Sequence, residues 1–104
     1  MLASSKEYLD FILEQLADVE GISYRQMMGE YIIYLKGKVA GGIYDNRLLI
    51  KPVKAAVAAL PGAPMEQPYP GAKQMLLVTE LDNKELLKNL FETIYPELSA
   101  PKKK

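Results

Sequence analysis

Residues 25–52, RQMMGEYIIYLKGKVAGGIYDNRLLIKP, decide the fold. Two turn signals divide this stretch into β-rich runs. Gly37, which tolerates positive φ, separates 31–35 from 39–44, and Asp45-Asn46 offers two residues that accept the left-handed region before 48–51. The Ile, Val, Tyr and Leu between the turns suit a pleated, half-buried surface. Links this short join only antiparallel neighbours, so the stretch predicts a meander. Gly41-Gly42 would weaken the middle strand unless the missing side chains admit a close approach. A bulge, or a helix backbone passing close to the pair, is therefore expected there.

The flanks supply helices. Ser4-Ser5-Lys6-Glu7 has a capping-box pattern, and Tyr8, Leu9, Ile12, Leu13 and Leu16 follow at helical spacing, predicting a helix over 5–19 that ends near Glu20-Gly21. Pro52 suits the first turn of a short second helix over 53–60, stopped by Pro61-Gly62. Pro64, Pro68 and Pro70 limit 62–71 to a loop with at most an edge strand. A last strand is expected at 74–79. A third helix is expected at 83–95, capped from Asp82-Asn83 and carrying Leu86, Leu87, Leu90, Phe91 and Ile94 on one stripe. The order is α-β-β-β-α-β-α, with extra strands expected at 24–28 and in the proline loop. The fold class is α+β, an antiparallel sheet meander layered with three helices. One domain spans 1–98, followed by a disordered basic tail over 99–104.

Composition narrows the chemistry. The chain has 104 residues, no Cys and no His. Disulfides and thiolate sites are excluded, and so are the commonest metal ligand and the usual base near neutral pH. No acidic loop clusters ligands for a hard cation, so neither a metal nor a cofactor is expected. Charges at Lys6, Glu7 and Asp10 interrupt what would have to be a signal core, and no apolar run reaches membrane-spanning length. A cytoplasmic location without membrane contact is expected. The methionines at 27, 28, 65 and 75 read as core filler.

The central stretch resembles the TfoX N-terminal domain family, found in TfoX/Sxy-type regulators of bacterial competence and in many short standalone proteins. The resemblance is carried by Arg25, Met27 and Gly29, by Tyr34, Gly37-Lys38 and Gly42, and by Asp45, Arg47-Leu48 and Lys51; it continues through Gly71-Ala72-Lys73 and the last helix. Met28 stands where the family often has Phe, and Ile32 where many members have Gly. The resemblance implies a standalone single-domain member with a regulatory role exercised without catalysis.

Three function classes follow. A protein-interaction domain is expected first, with the partner unnamed: residues 31–35 are apolar on both faces, and helices covering a single face would leave half of them open for a partner or for a homodimer. Nucleic acid is the alternative, in a transcription regulator. Residues 24–54 hold six basic against two acidic side chains, whereas residues 1–23 hold one lysine against five carboxylates. Arg25, Tyr34, Lys36, Lys38, Arg47 and Lys51 are the candidate interaction residues, and Gly29, Gly37, Gly42 and Asp45 the structural turn residues. The basic hairpin tips fall at opposite ends of one strand, which limits phosphate contact to weak, salt-labile binding. The third class is a small enzyme using carboxylate and lysine chemistry. No spacing matches a nucleophile and its base, and Arg25 with Glu30 reads instead as an ion pair steadying the turn at Gly29.

Overall fold

A computed structural model describes residues 4–99. From residue 100 on, the expected basic tail lies outside them. The order is α1 (Lys6–Gln15), β1 (Ile22–Met27), β2 (Glu30–Leu35), β3 (Lys38–Ile43), β4 (Leu48–Ile50), α2 (Lys54–Ala59), β5 (Met65–Glu66), β6 (Met75–Leu77) and α3 (Lys84–Ile94), closed by a 3₁₀ turn at Tyr95–Glu97. The strands form one antiparallel sheet in the order β1-β2-β3-β4-β6-β5. The α+β fold is as the sequence predicts, and both extra strands are present as β1 and β5.

Three two-residue turns build the meander. Met28-Gly29, Lys36-Gly37 and Asp45-Asn46 all have positive φ at both positions, the geometry whose twist matches the flanking strands. The register slips between Ile33 and Tyr34, leaving Ala40 of β3 as the extra residue of a bulge. The expected close approach is made by β4 at Gly41 and by the Tyr44 ring and β2 at Gly42, rather than by a helix. A Cβ on Gly41 would strike the Leu49 carbonyl oxygen, and one on Gly42 would meet the Tyr44 ring at 2.5 Å and the Tyr31 oxygen at 2.8 Å.

All three helices cover the same face of the sheet. Leu9, Ile12 and Leu16 from the α1 side, Ala56 of α2 and Leu87, Leu90, Phe91 and Ile94 of α3 pack with Tyr31, Ile33, Leu35, Ile43, Leu48, Ile50 and Leu76. Alternation sends Ile32 and Leu49 to the other side. Leu49 is fully buried yet stands apart from the helix-side core.

Several local expectations are corrected. The first helix ends at Gln15, not near Glu20: Glu14, Asp18 and Glu20 put negative charge at its C-terminal end with no basic residue in the last turn, and Leu16 and Val19 are buried from turns instead. Ser5 caps the Tyr8 N–H at this helix's start, but residue 8, where a capping box needs Glu or Gln, is tyrosine. Val53 is the N-cap of α2, which places Pro52 just before the helix, and the Glu97 carboxylate accepts from the Ala55 N–H at 2.9 Å. Asn83 caps α3 through the Leu86 N–H as expected.

Candidate binding cleft on the open face of the sheet

The face that no helix covers carries Arg25 of β1, Ile32 of β2, Gly42 of β3, Leu49 of β4 and Leu77 of β6 in one cross-strand row. Residues 67–70 fold over part of it, with Pro68 buried. Arg47 holds that loop. Its Nη1 donates to Glu66 Oε1 at 2.7 Å, Nη2 to the Pro68 carbonyl at 3.4 Å and Nε to the Tyr44 carbonyl at 3.0 Å. The loop is closed on itself by Gln67 Nε2 donating to the Ala72 carbonyl. Tyr69 then sets its ring 6.2 Å from that of Tyr44, which lies over Gly42. The glycine makes room for the ring.

Between this loop and the turn at Met28-Gly29 lies a cleft of about 890 Å³. Met27, Met28, Ile32, Tyr44, Pro68, Tyr69 and Pro70 give it an apolar lining, and Glu30, Asp45, Arg47 and Gln67 stand among them. Two of these polar groups are occupied by the fold. Arg47 is consumed as described, and Glu30 Oε1 accepts from Ser4 Oγ at 2.7 Å and from the Asp45 N–H at 3.2 Å. Asn46 completes a clasp with the start of α1, accepting from the Ser5 N–H through Oδ1 while its own N–H donates to Ser4 Oγ. The cleft wall is thus tied to the helix layer at this end. Burial, with Tyr69, Glu30 and Tyr34 nearby, raises the Tyr44 phenol above its ordinary value and keeps it neutral.

Met28 is the unusual residue of the site. It is 82% exposed, and its φ of 53° is a conformation that long side chains seldom adopt and that Asn, Asp or Gly fills at lower cost. Met27 and Met65 are also exposed. The reading of these methionines as core filler is therefore corrected: Met27 precedes a turn that puts it on the open face, and Met65 sits on an edge strand. The Arg25–Glu30 pair does not form either, because Glu30 is directed to Ser4 and Asp45; the ion pairs among the described residues are Lys6–Asp10, Arg47–Glu66 and Lys84–Glu14.

The candidate residues read from the sequence scatter. Arg47 and Asp45 line the cleft, and Gly42 seats its aromatic wall. Gly29 shapes the neighbouring turn and its carbonyl accepts from the Ser4 N–H. Arg25 and Tyr34 share the open face, in register with Ile32 and with Ser23, outside the lining. Lys36 and Lys38, on either side of Gly37, lie at the far end of the sheet with their ammonium groups 5.1 and 4.4 Å from the centre of the Tyr95 ring. Lys51 follows β4, its N–H donating to the Ala40 carbonyl. Sequence reasoning missed Met28, Pro68, Tyr69 and Pro70, whose signal was two adjacent methionines before a glycine and a tyrosine between prolines.

Among the described residues no group of three or more carboxylates, His or Cys is placed to hold a metal ion, and no helix is long and apolar enough to cross a membrane. The family described as the TfoX N-terminal domain matches residues 14–92. A relative described as an uncharacterized 12.7 kDa protein in the trpE 5′ region of Spirochaeta aurantia is 29% identical over 102 residues, covering 97% of this chain and 89% of its own. No solved structure matches.

Proposed function

We propose that this chain, which belongs to the TfoX N-terminal domain family, acts without catalysis as a protein-interaction domain in regulation, its cleft taking an extended apolar segment that carries a basic residue. One observation carries the reading: the groups offered to the cleft are thioethers, aromatic rings and prolines, while its arginine is spent on the wall. Methionine-rich, partly open surfaces adapt to apolar partners. The charge left over favours a basic partner, because Arg47 is balanced by Glu66 whereas Glu30 and Asp45 have no cation facing them among the described ion pairs. That sign disfavours phosphate. Lys36 and Lys38 lie against Tyr95 of the closing 3₁₀ turn at the other end, so the cationic groups of that hairpin are already engaged by a ring of the same chain, which disfavours nucleic acid there.

Selection from a displayed random-peptide library, followed by methyl NMR of the bound state, tests this. Apolar sequences with Lys or Arg should be enriched and should shift the Met27, Met28 and Ile32 methyls. Failure to enrich such peptides, or shifts confined to the Tyr95 end, would overturn the reading.

A further inference from the structure

The two edges of the sheet are built differently. β5 is two residues long, with Pro64 before it and Pro68 two residues after it, a guarded edge. β1 has six residues, no proline, no bulge and a single charge, and all but Ile22 are exposed. Its outward backbone groups can be assigned. The two-residue turn at Met28-Gly29 makes Met27 and Glu30 the hydrogen-bonded pair that closes the hairpin, and alternation then directs Met27, Arg25 and Ser23 toward β2. The Lys36 N–H donating to the Gly21 carbonyl at 2.8 Å fixes the same parity at the other end. The N–H and C=O groups of Ile22, Tyr24 and Gln26 therefore point away from the sheet, and none has a backbone or side-chain partner among the described residues.

We infer that β1 is a self-pairing edge, where a second copy of this chain adds its own β1 antiparallel about a two-fold axis through Tyr24. Only an axis perpendicular to the sheet relates two antiparallel copies of one edge strand, so a residue must sit opposite itself or opposite one an even number of positions away. Centred on Tyr24, the pairing sets Tyr24 against Tyr24 and Ile22 against Gln26 of the second copy. That register engages all three outward residues of each strand, forming roughly six backbone hydrogen bonds. Shifting the centre to Arg25 engages fewer and places two arginines opposite each other, which is unfavourable. In the favoured register Ser23 faces Arg25 of the second copy, twice by symmetry. The result is one twelve-stranded sheet with both helix layers on the same side and both clefts open on the other. The inference does not depend on what the clefts bind.

Sedimentation equilibrium of the full chain up to about 500 µM tests it, a range suited to an interface smaller than a standard stable one. The wild type should show a concentration-dependent dimer. Tyr24→Pro removes no hydrogen bond of the monomer's own ladder, since the lost N–H points outward, although it also removes the ring that meets Tyr31 edge-on; the monomer should stay folded and the dimer should be lost. Ser23→Asp sets two opposite-charge pairs across the seam and should tighten the dimer about fivefold or more, whereas Ser23→Lys should loosen it by a similar factor. Ser23 is exposed, so neither of its variants challenges the fold. A monomer throughout the range, or a dimer indifferent to Tyr24→Pro and to the sign of the charge at 23, would overturn the inference.

Discussion

Ile32 and Ile33 are neighbours of the same type on the same strand, yet Ile33 is fully buried beneath the helices while Ile32 opens into the cleft. The contrast extends along their rows. On one side, Leu and Ile side chains from every long element close a core; on the other, Arg25, Ile32 and Leu77 have no helix over them, and a loop held by Arg47 borders the cleft at Ile32. A strand that is apolar on both faces thus need not be covered on both. One face secures the fold, and the other is the face proposed to meet a partner.

The largest expected difference is in stability. Ile33→Ala should cost about 3–4 kcal/mol, the range for a fully buried aliphatic with little room to collapse, while Ile32→Ala should cost about 1 kcal/mol or less. Urea unfolding of the two variants checks this, and equal losses would break the comparison.

The paired glycines give the next contrast. Gly42→Val should destabilise by about 1–3 kcal/mol because the Tyr44 ring can yield although the Tyr31 carbonyl cannot, and Gly41→Val should cost more because its obstacle is the β4 backbone. Thermal unfolding should rank them in that order.

Met28→Asn should raise stability by about 0.5–1 kcal/mol by relieving a long side chain at positive φ, and should weaken peptide binding at the cleft. An increase in stability with binding unchanged would remove Met28 from the site.

The smallest effect is electrostatic. The Tyr44 phenol has its pKa raised by burial, so its contribution to stability is complete below the ordinary value of about 10 and fades as pH rises through the folded value. Tyr44→Phe should therefore flatten the alkaline loss of stability above about pH 10, measured by denaturation at stepped pH, and leave neutral pH unaffected.

The difference between the faces also marks what the sequence could disclose. Asp45-Asn46 and the turn at Gly37 were legible because Asp, Asn and Gly tolerate positive φ, and they set the meander. The matching turn at Met28-Gly29 was signalled by its glycine alone, with a methionine in the position that Asn or Gly fills at lower cost, and β1 before it read only as an extra strand. Heptad-like leucines disclosed the helices, but they could not say that all three lie on one side. The cleft was the least legible part. It exists because residues 67–70 return to the sheet through Arg47, a contact between positions about twenty apart that no local pattern encodes. Of the six residues read as interaction candidates, Arg47 alone lines it, and in a different role: it builds the wall.

The most direct measurement is made on Ile32→Lys, with stability and peptide binding determined on one preparation. The account predicts a folded protein with a urea midpoint close to the wild type, since the lysine can extend into solvent, and loss of binding to peptides selected on the wild-type cleft. Unfolding of the variant, or binding at wild-type strength, would contradict the division of the sheet into a structural face and a recognition face.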